Sequence, residues 1–272
     1  MIDFLITVIG YLIWILIGVY FSWFIVARIL EPIYIMIFNR PLYLYFYPVL
    51  KKASDAQRKI LNDNVPFYRR LSPRRKKFFE HRIVDFIESY AYYGKNGLIL
   101  TDEIYVMVAS AYVMLTFGMR NFKTDVFNKI IIYPDSYHST INDVLHNGEF
   151  NPMLKAVVFS WKHFREGFQV GSDNLNLGIH EFAHVLHFHG FKKNDRSAEI
   201  FADEYVKLMK EVKHPANAQR LIDSDYFRIY AYTNEYEFLA VILEHFFETP
   251  RDFEKEFPRL FKNVKRMINY QS

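Results

Sequence analysis

The sequence predicts a helix-rich fold with a small β-sheet, carried behind an N-terminal helix long enough to cross a bilayer. Three observations predict it. Residues Phe4 to Ala27, FLITVIGYLIWILIGVYFSWFIVA, run for 24 positions without a charge. Apolar residues then recur at helical spacing through much of the remaining chain. Only two short runs, beginning at Lys129 and Lys155, read as strands.

As a helix, the first run rises about 36 Å, and about 20 residues already span a hydrocarbon core. A cleaved signal peptide would carry a basic n-region and a small-x-small cleavage site. Here the n-region is Met-Ile-Asp and no such site follows, so a retained single-pass anchor is expected. Only Asp3 precedes the span, whereas Arg28, Arg40, Lys51 and Lys52 follow it, which places the body of the chain in the cytoplasm. The absence of cysteine agrees with a reducing compartment. It also excludes disulfide scaffolds, thiolate metal sites and cysteine nucleophiles. A formal charge of +4 is too modest to point to nucleic acid, and none is expected as a partner.

Residues 29–50 are apolar but interrupted by Pro32, Arg40, Pro41 and Pro48. Tyr34, Tyr43, Tyr45 and Tyr47 suit a headgroup interface, or equally a segment packed beneath the body. The expected organisation is residues 1–50 as anchor and juxtamembrane segment, and 51–272 as one compact domain. A basic stretch, Arg69, Arg70, Arg74, Arg75, Lys76, Lys77 and Arg82, overlaps a helix that Ser72-Pro73 should start. Its cations read either as a patch for lipid or a partner, or as a solvated helix face. Thr101 caps a helix that is apolar nearly all round, hence a core helix, ending near Gly118. The strands KIIIYP and KAVVFSW follow; the second is either buried or an edge along which an extended peptide aligns.

The chemistry concentrates in GIHEFAHVLHFHG, where four histidines and one glutamate fall between positions 180 and 189. His180 and His184 lie one helical turn apart and about 40° around the axis, so both imidazoles reach one cation. Glu181 points beside that pair and can accept a proton from an activated water without being a ligand, the H-E-x-x-H arrangement. Gly171, Ser172 and Asp173 supply a turn before the helix, and Ile179, Phe182, Ala183 and Leu186 supply its core face.

A catalytic zinc takes three protein ligands and keeps an open position, so a third ligand is needed. The metzincin continuation fails, because His187 and Gly190 stand where that pattern needs glycine and histidine. His187, a further turn along the helix, is too far to share the cation and reads as a support behind the ligands or as core, with His189 as a helix-end residue. Two glutamates remain: Glu199 in SAEIFADEY and Glu237 in YAYTNEYEFLAVILEHFF. Thr233 or Asn234 can cap the helix of the second, turning Glu237 inward with Val241 and Glu244. Spacing leaves both glutamates open.

From about residue 65 to 260 the chain resembles the Mlc titration factor A family of glucose-regulated, zinc-dependent peptidases. The resemblance rests on FYRRLSPRRKKFFEHRI, GLILTDEIYVMVASAYVMLTFG, IIIYPDSY, GSDNLNLGIHEFAHVL and YAYTNEYEFLAVILEHFFETP, in that order. It implies a zincin-like α+β metallopeptidase domain with one Zn²⁺ per chain, held by His180, His184 and Glu237, and with Glu181 as general base. The last segment is also similar to the corresponding part of the anthrax lethal factor catalytic domain. That likeness implies a catalytic tyrosine at Tyr230, with Tyr232 as the substitute if the loop register differs. Glu199 then falls to a solvated or supporting acid. The function implied is a membrane-anchored zinc metallopeptidase acting on peptide or protein substrates. The alternative is a regulatory protein that sequesters a partner such as a transcriptional repressor. A purely structural zinc site would instead need four protein ligands.

Overall fold

The computed structural model describes residues 1–138, 144–193 and 195–270. The chain divides into two compact units, Met1–Leu44 and Tyr45–Ser272.

In the first unit α1 (Ile2–Ile25) passes through a π-helical turn, Val26–Leu30, into α2 (Glu31–Phe38). The continuous helix is 37 residues long, and its most apolar stretch has a mean hydropathy of 2.4 with none of it buried in protein. It therefore outruns the uncharged segment, accommodating Arg28 and Glu31 before it stops. Asn39 ends it in the left-handed region (φ 48), its N–H donating to the Ile35 carbonyl, and Pro41 follows.

The second unit opens with α3 (Asp55–Asn64), α4 (Pro66–Arg70) and α5 (Pro73–Ser89). The Ser72 hydroxyl accepts the Arg75 N–H, so α5 starts where the Ser-Pro pair predicts. β1 (Ala91–Gly94) leads to α6 (Asp102–Thr116), capped by Thr101 and buried on nearly every side, then to β2 (Lys129–Tyr133) parallel to β1. β3 (Tyr137–His138) and β4 (Leu145–His146) form a separate ribbon. β5 (Gly148–Asn151) and β6 (Ala156–Ser160) are antiparallel and complete a sheet of order β1-β2-β6-β5. The run from Lys155 thus contains an interior strand, Ala156–Ser160, which β2 and β5 flank and which is buried at every position. The edge-strand reading of that run does not hold, and the edge belongs to β5.

Helices make up most of the remainder: α7 (Trp161–Gln169), α8 (Leu177–Lys192), α9 (Arg196–Val212) and α10 (Pro215–Asp223). A 3₁₀ turn, Ile229–Tyr232, precedes α11 (Glu235–Glu248), α12 (Pro250–Glu256) and α13 (Pro258–Met267). The result is a helix-rich α+β body with a small sheet.

At its centre α8 packs on α6, α9 and α11. Phe182, on its core face, meets the rings of Phe86, Tyr112, Phe127 and Phe159 at centroid distances of 5.2–6.2 Å. Truncating such a buried ring costs about 3–5 kcal/mol, so α8 is held by apolar packing rather than by its histidines. Gly178 allows the close approach of α7 and α6: a Cβ there would sit 2.6 Å from the Phe164 ring and 2.9 Å from Ala111.

Arg82 separates from the basic stretch it neighbours in sequence. It is fully buried, and its guanidinium donates to the carbonyls of Thr116 and Met119 at the C-terminal end of α6, where a cation offsets the helix dipole. Its Nε donates to the Tyr47 hydroxyl at 2.6 Å. Tyr45 stacks on Phe78 (4.5 Å) and donates to the Phe117 carbonyl (2.8 Å). These two tyrosines are packed against the body.

Candidate metal centre

Two capping asparagines aim the chemistry. Asn176 caps α8: its Oδ1 accepts the Ile179 N–H, while its Nδ2 donates to the Gly167 carbonyl and to Glu248 Oε1. Asn234 caps α11, its Oδ1 accepting the N–H groups of Tyr236 and Glu237. Glu237 thereby sits in the first turn of α11, facing α8.

On α8 the one-turn spacing brings the His180 and His184 rings to 4.9 Å between centroids. Ligand atoms of His180, His184 and Glu237 all lie within 4.8 Å of one another. Glu237 Oε2 is 3.0 Å from His180 Nε2, and Oε1 is 3.6 Å from His184 Nε2. Despite that proximity Oε2 is buried with no aligned hydrogen-bond donor, and a cation between the three groups would satisfy it. Two imidazoles and a carboxylate are a donor set suited to zinc. The residues fit the metal.

The opposite nitrogen of His180 is also engaged. Nδ1 lies 2.9 Å from Glu244 Oε1, and Glu244 Oε2 lies 2.6 Å from Arg228 Nη1. Arg228 donates as well to the Asn174 carbonyl, which fixes its place. Glu244 is almost wholly buried, and a partner meets each of its oxygens.

The electrostatics follow from burial and from this row of charges. Burial lowers the His180 pKa, but the carboxylates of Glu237 and Glu244 outweigh it and push the group up to about 10. Burial pulls His184 down to about 4, and the charge of His180 acts in the same direction. Burial opposes ionisation of Glu237 too, yet the adjacent imidazoles of His180 and His184 hold its carboxyl below the ordinary range. Glu181 is pushed up to about 7, chiefly by burial and against the pull of His180. Tyr230 rises to about 12 through burial and the nearby Glu237 carboxylate.

A cavity of about 400 Å³ opens beside these groups; Gly148, His180, Glu181, Arg228, Tyr230 and Glu244 are among its lining. β5 runs directly over Glu181. A Cβ at Gly148 would fall 2.7 Å from Glu181 Oε1 and 2.7 Å from Leu177, so any larger residue there would have to displace one of these side chains or the strand. Tyr230, on the 3₁₀ turn, places its ring 6.0 Å from that of His180.

The other sequence candidates lie elsewhere. Tyr232 donates to the Leu221 carbonyl (2.8 Å), which leaves Tyr230 as the tyrosine at the cavity. Glu199 is exposed and paired with Arg196. His187 packs between Tyr205 and Tyr236, at 4.8 and 4.6 Å. His189 bridges Thr124 and Asp195 at the end of α8. Sequence reasoning missed Arg228 and Gly148 and gave Glu244 no role. Glu244 carried a signal, since an acid two turns after Glu237 on the same face of an apolar helix must find a buried partner. Arg228 carried none.

The family model for the glucose-regulated metallo-peptidase M90 matches residues 49–269. An uncharacterized protein of Synechocystis sp. is 28% identical over 231 residues, which cover 76% of this chain and 81% of that protein. Mlc titration factor A of Serratia proteamaculans is 24% identical over 201 residues, covering 63% of this chain and 71% of that protein.

Proposed function

The chain belongs to the glucose-regulated metallo-peptidase M90 family, and from that premise we propose that it is a membrane-anchored zinc peptidase that hydrolyses peptide bonds. The observation that supports this best is the convergence of His180, His184 and Glu237 beside a cavity that also holds Glu181. His180, His184 and Glu237 would hold the metal, with two imidazoles and one carboxylate as donors. When bound, zinc supplies Lewis-acid polarisation of the scissile carbonyl and makes water acidic enough to ionise near neutral pH.

The chain's own groups do the rest. Glu244 accepts from His180 Nδ1, which fixes the tautomer and turns Nε2 toward the site, and Arg228 holds the Glu244 carboxylate in place from its other oxygen. The Glu181 carboxylate takes a proton from the attacking water and passes it to the leaving amine nitrogen. Tyr230 stays protonated at neutral pH and donates its O–H to the oxyanion of the tetrahedral intermediate. An extended peptide pairs with the outer edge of β5, which carries the scissile bond past Glu181.

The apolar helix Ile2–Phe38 anchors the enzyme, and the cations that follow the span orient the catalytic unit to the cytoplasm. A second reading, capture of a regulatory protein, draws on the name of the relative called a titration factor. Glu181→Gln separates the two. A peptidase loses its biological effect with the proton carrier, whereas a sequestering protein keeps it.

A further inference from the structure

Six cations lie within nine residues, Arg69, Arg70, Arg74, Arg75, Lys76 and Lys77. Since the chain's formal charge is +4, all its other residues together sum to −2. The positive charge is therefore concentrated here. Neighbouring cations such as Lys51, Arg58, Lys59 and Lys123 each pair with an acid. Among the described residues, none of the six has a carboxylate within ion-pair distance. Arg69, Arg70, Arg74 and Lys77 are exposed. Four of the six occupy the start of α5, whose first turn holds no acid, although the helix dipole disfavours cations at that end. An anionic partner would relieve this arrangement.

The same surface receives the chain as it enters the catalytic unit. Tyr45 stacks on Phe78 and donates to the Phe117 carbonyl, the Arg74 guanidinium lies 5.8 Å from the Phe78 ring, and the Lys51 N–H donates to His81. Residues 45–51 thus run along α5 from Phe78 to His81. Between these anchored positions Phe46 and Val49 stay exposed, at 75% and 81%. Phe38 ends the apolar helix, and the seven steps from there to Tyr45 reach at most about 25 Å. A lipid-embedded helix therefore keeps this basic surface close to headgroups by covalent connection alone.

We propose that Arg69, Arg70, Arg74 and Lys77, with Phe46 and Val49, form a docking surface for anionic lipid headgroups that lays the catalytic unit against the bilayer. The proposal rests on the reading of residues 2–38 as an anchor. Each basic residue near an anionic surface shifts the docked equilibrium about fivefold, so four contribute several hundredfold at low salt.

The chain has no cysteine, so Asn62→Cys provides a unique site for a fluorophore beside Arg69, which donates to the Asn62 carbonyl. The full-length labelled protein is reconstituted into vesicles of phosphatidylcholine alone, or mixed with phosphatidylglycerol, with a headgroup-attached quencher. Docking predicts strong quenching only with phosphatidylglycerol, lost at high salt and in R69Q/R70Q/R74Q/K77Q, while metal content and peptidase activity are unchanged. Equal quenching in both lipids, or its persistence in the neutralised variant, would overturn docking while leaving the anchor intact. Absence of a lipid-charge response together with retention on heparin would assign the cations to a soluble polyanion and also overturn it. Failure to float with either vesicle would sink the anchor, and docking with it.

Discussion

Glu244 ties the buried chemistry together: one oxygen meets His180 and the other meets Arg228. Glu244→Gln keeps the shape but leaves Arg228 without its charge partner and His180 without a strong acceptor. Zinc affinity, measured by competition with a chelator, is expected to fall about 10–100-fold. Unchanged affinity would remove Glu244 from the site's support. A different histidine carries a pH prediction. His245 is buried against Tyr226 and Phe227, its Nδ1 has no hydrogen-bond partner among the described residues, and burial together with the Arg228 charge lowers its pKa from 6.5 to about 4. Because the folded-state pKa is depressed, this stability is fully present above 6.5 and is lost as pH falls toward 4, by about 2–3 kcal/mol. In His245→Phe the urea midpoint should therefore drop less between pH 7 and pH 4 than in the wild type. An identical drop would show that His245 does not titrate in this way.

At the scale of elements, the close pass of β5 over Glu181 makes Gly148→Ala informative. The added methyl has to displace the carboxylate or the strand, and a misplacement of about 1 Å can cost about 10² in rate. The expected outcome is a comparable fall in kcat/KM with zinc content unchanged. Full activity would mean that the strand yields freely. The elements legible in the sequence were those with local causes. Thr101, Ser72 and Asn234 cap helices at the positions their side chains suggest, and the one-turn spacing of His180 and His184 is a property of any helix. β1 and β5 were not legible, because AYYG and GEFN are short and lack an alternating pattern. Their pairing is set by β2 and β6, and a strand defined by its partner leaves little trace in its own residues. The meeting of α8 with α11 was likewise beyond local pattern. Spacing left Glu199 and Glu237 open, and tertiary packing carries one away from the histidines and brings the other to them.

At the scale of the whole molecule, an exposed apolar helix and a buried polar centre belong to separate compact units. The anchor reading predicts that full-length protein partitions with membranes and resists carbonate extraction, whereas recovery in the soluble fraction would contradict it. The central claim concerns the second unit, that His180, His184 and Glu237 hold a metal for which Glu181 moves the proton. The most direct test is zinc stoichiometry and peptide cleavage measured together on the detergent-solubilised full-length chain, its Glu181→Gln variant and its Glu237→Ala variant. The account predicts one zinc per wild-type chain. Glu181→Gln should retain the zinc and lose about 10²–10⁴ in turnover, and Glu237→Ala should lose zinc and activity together. Full zinc occupancy in Glu237→Ala, or undiminished cleavage by Glu181→Gln, would contradict it.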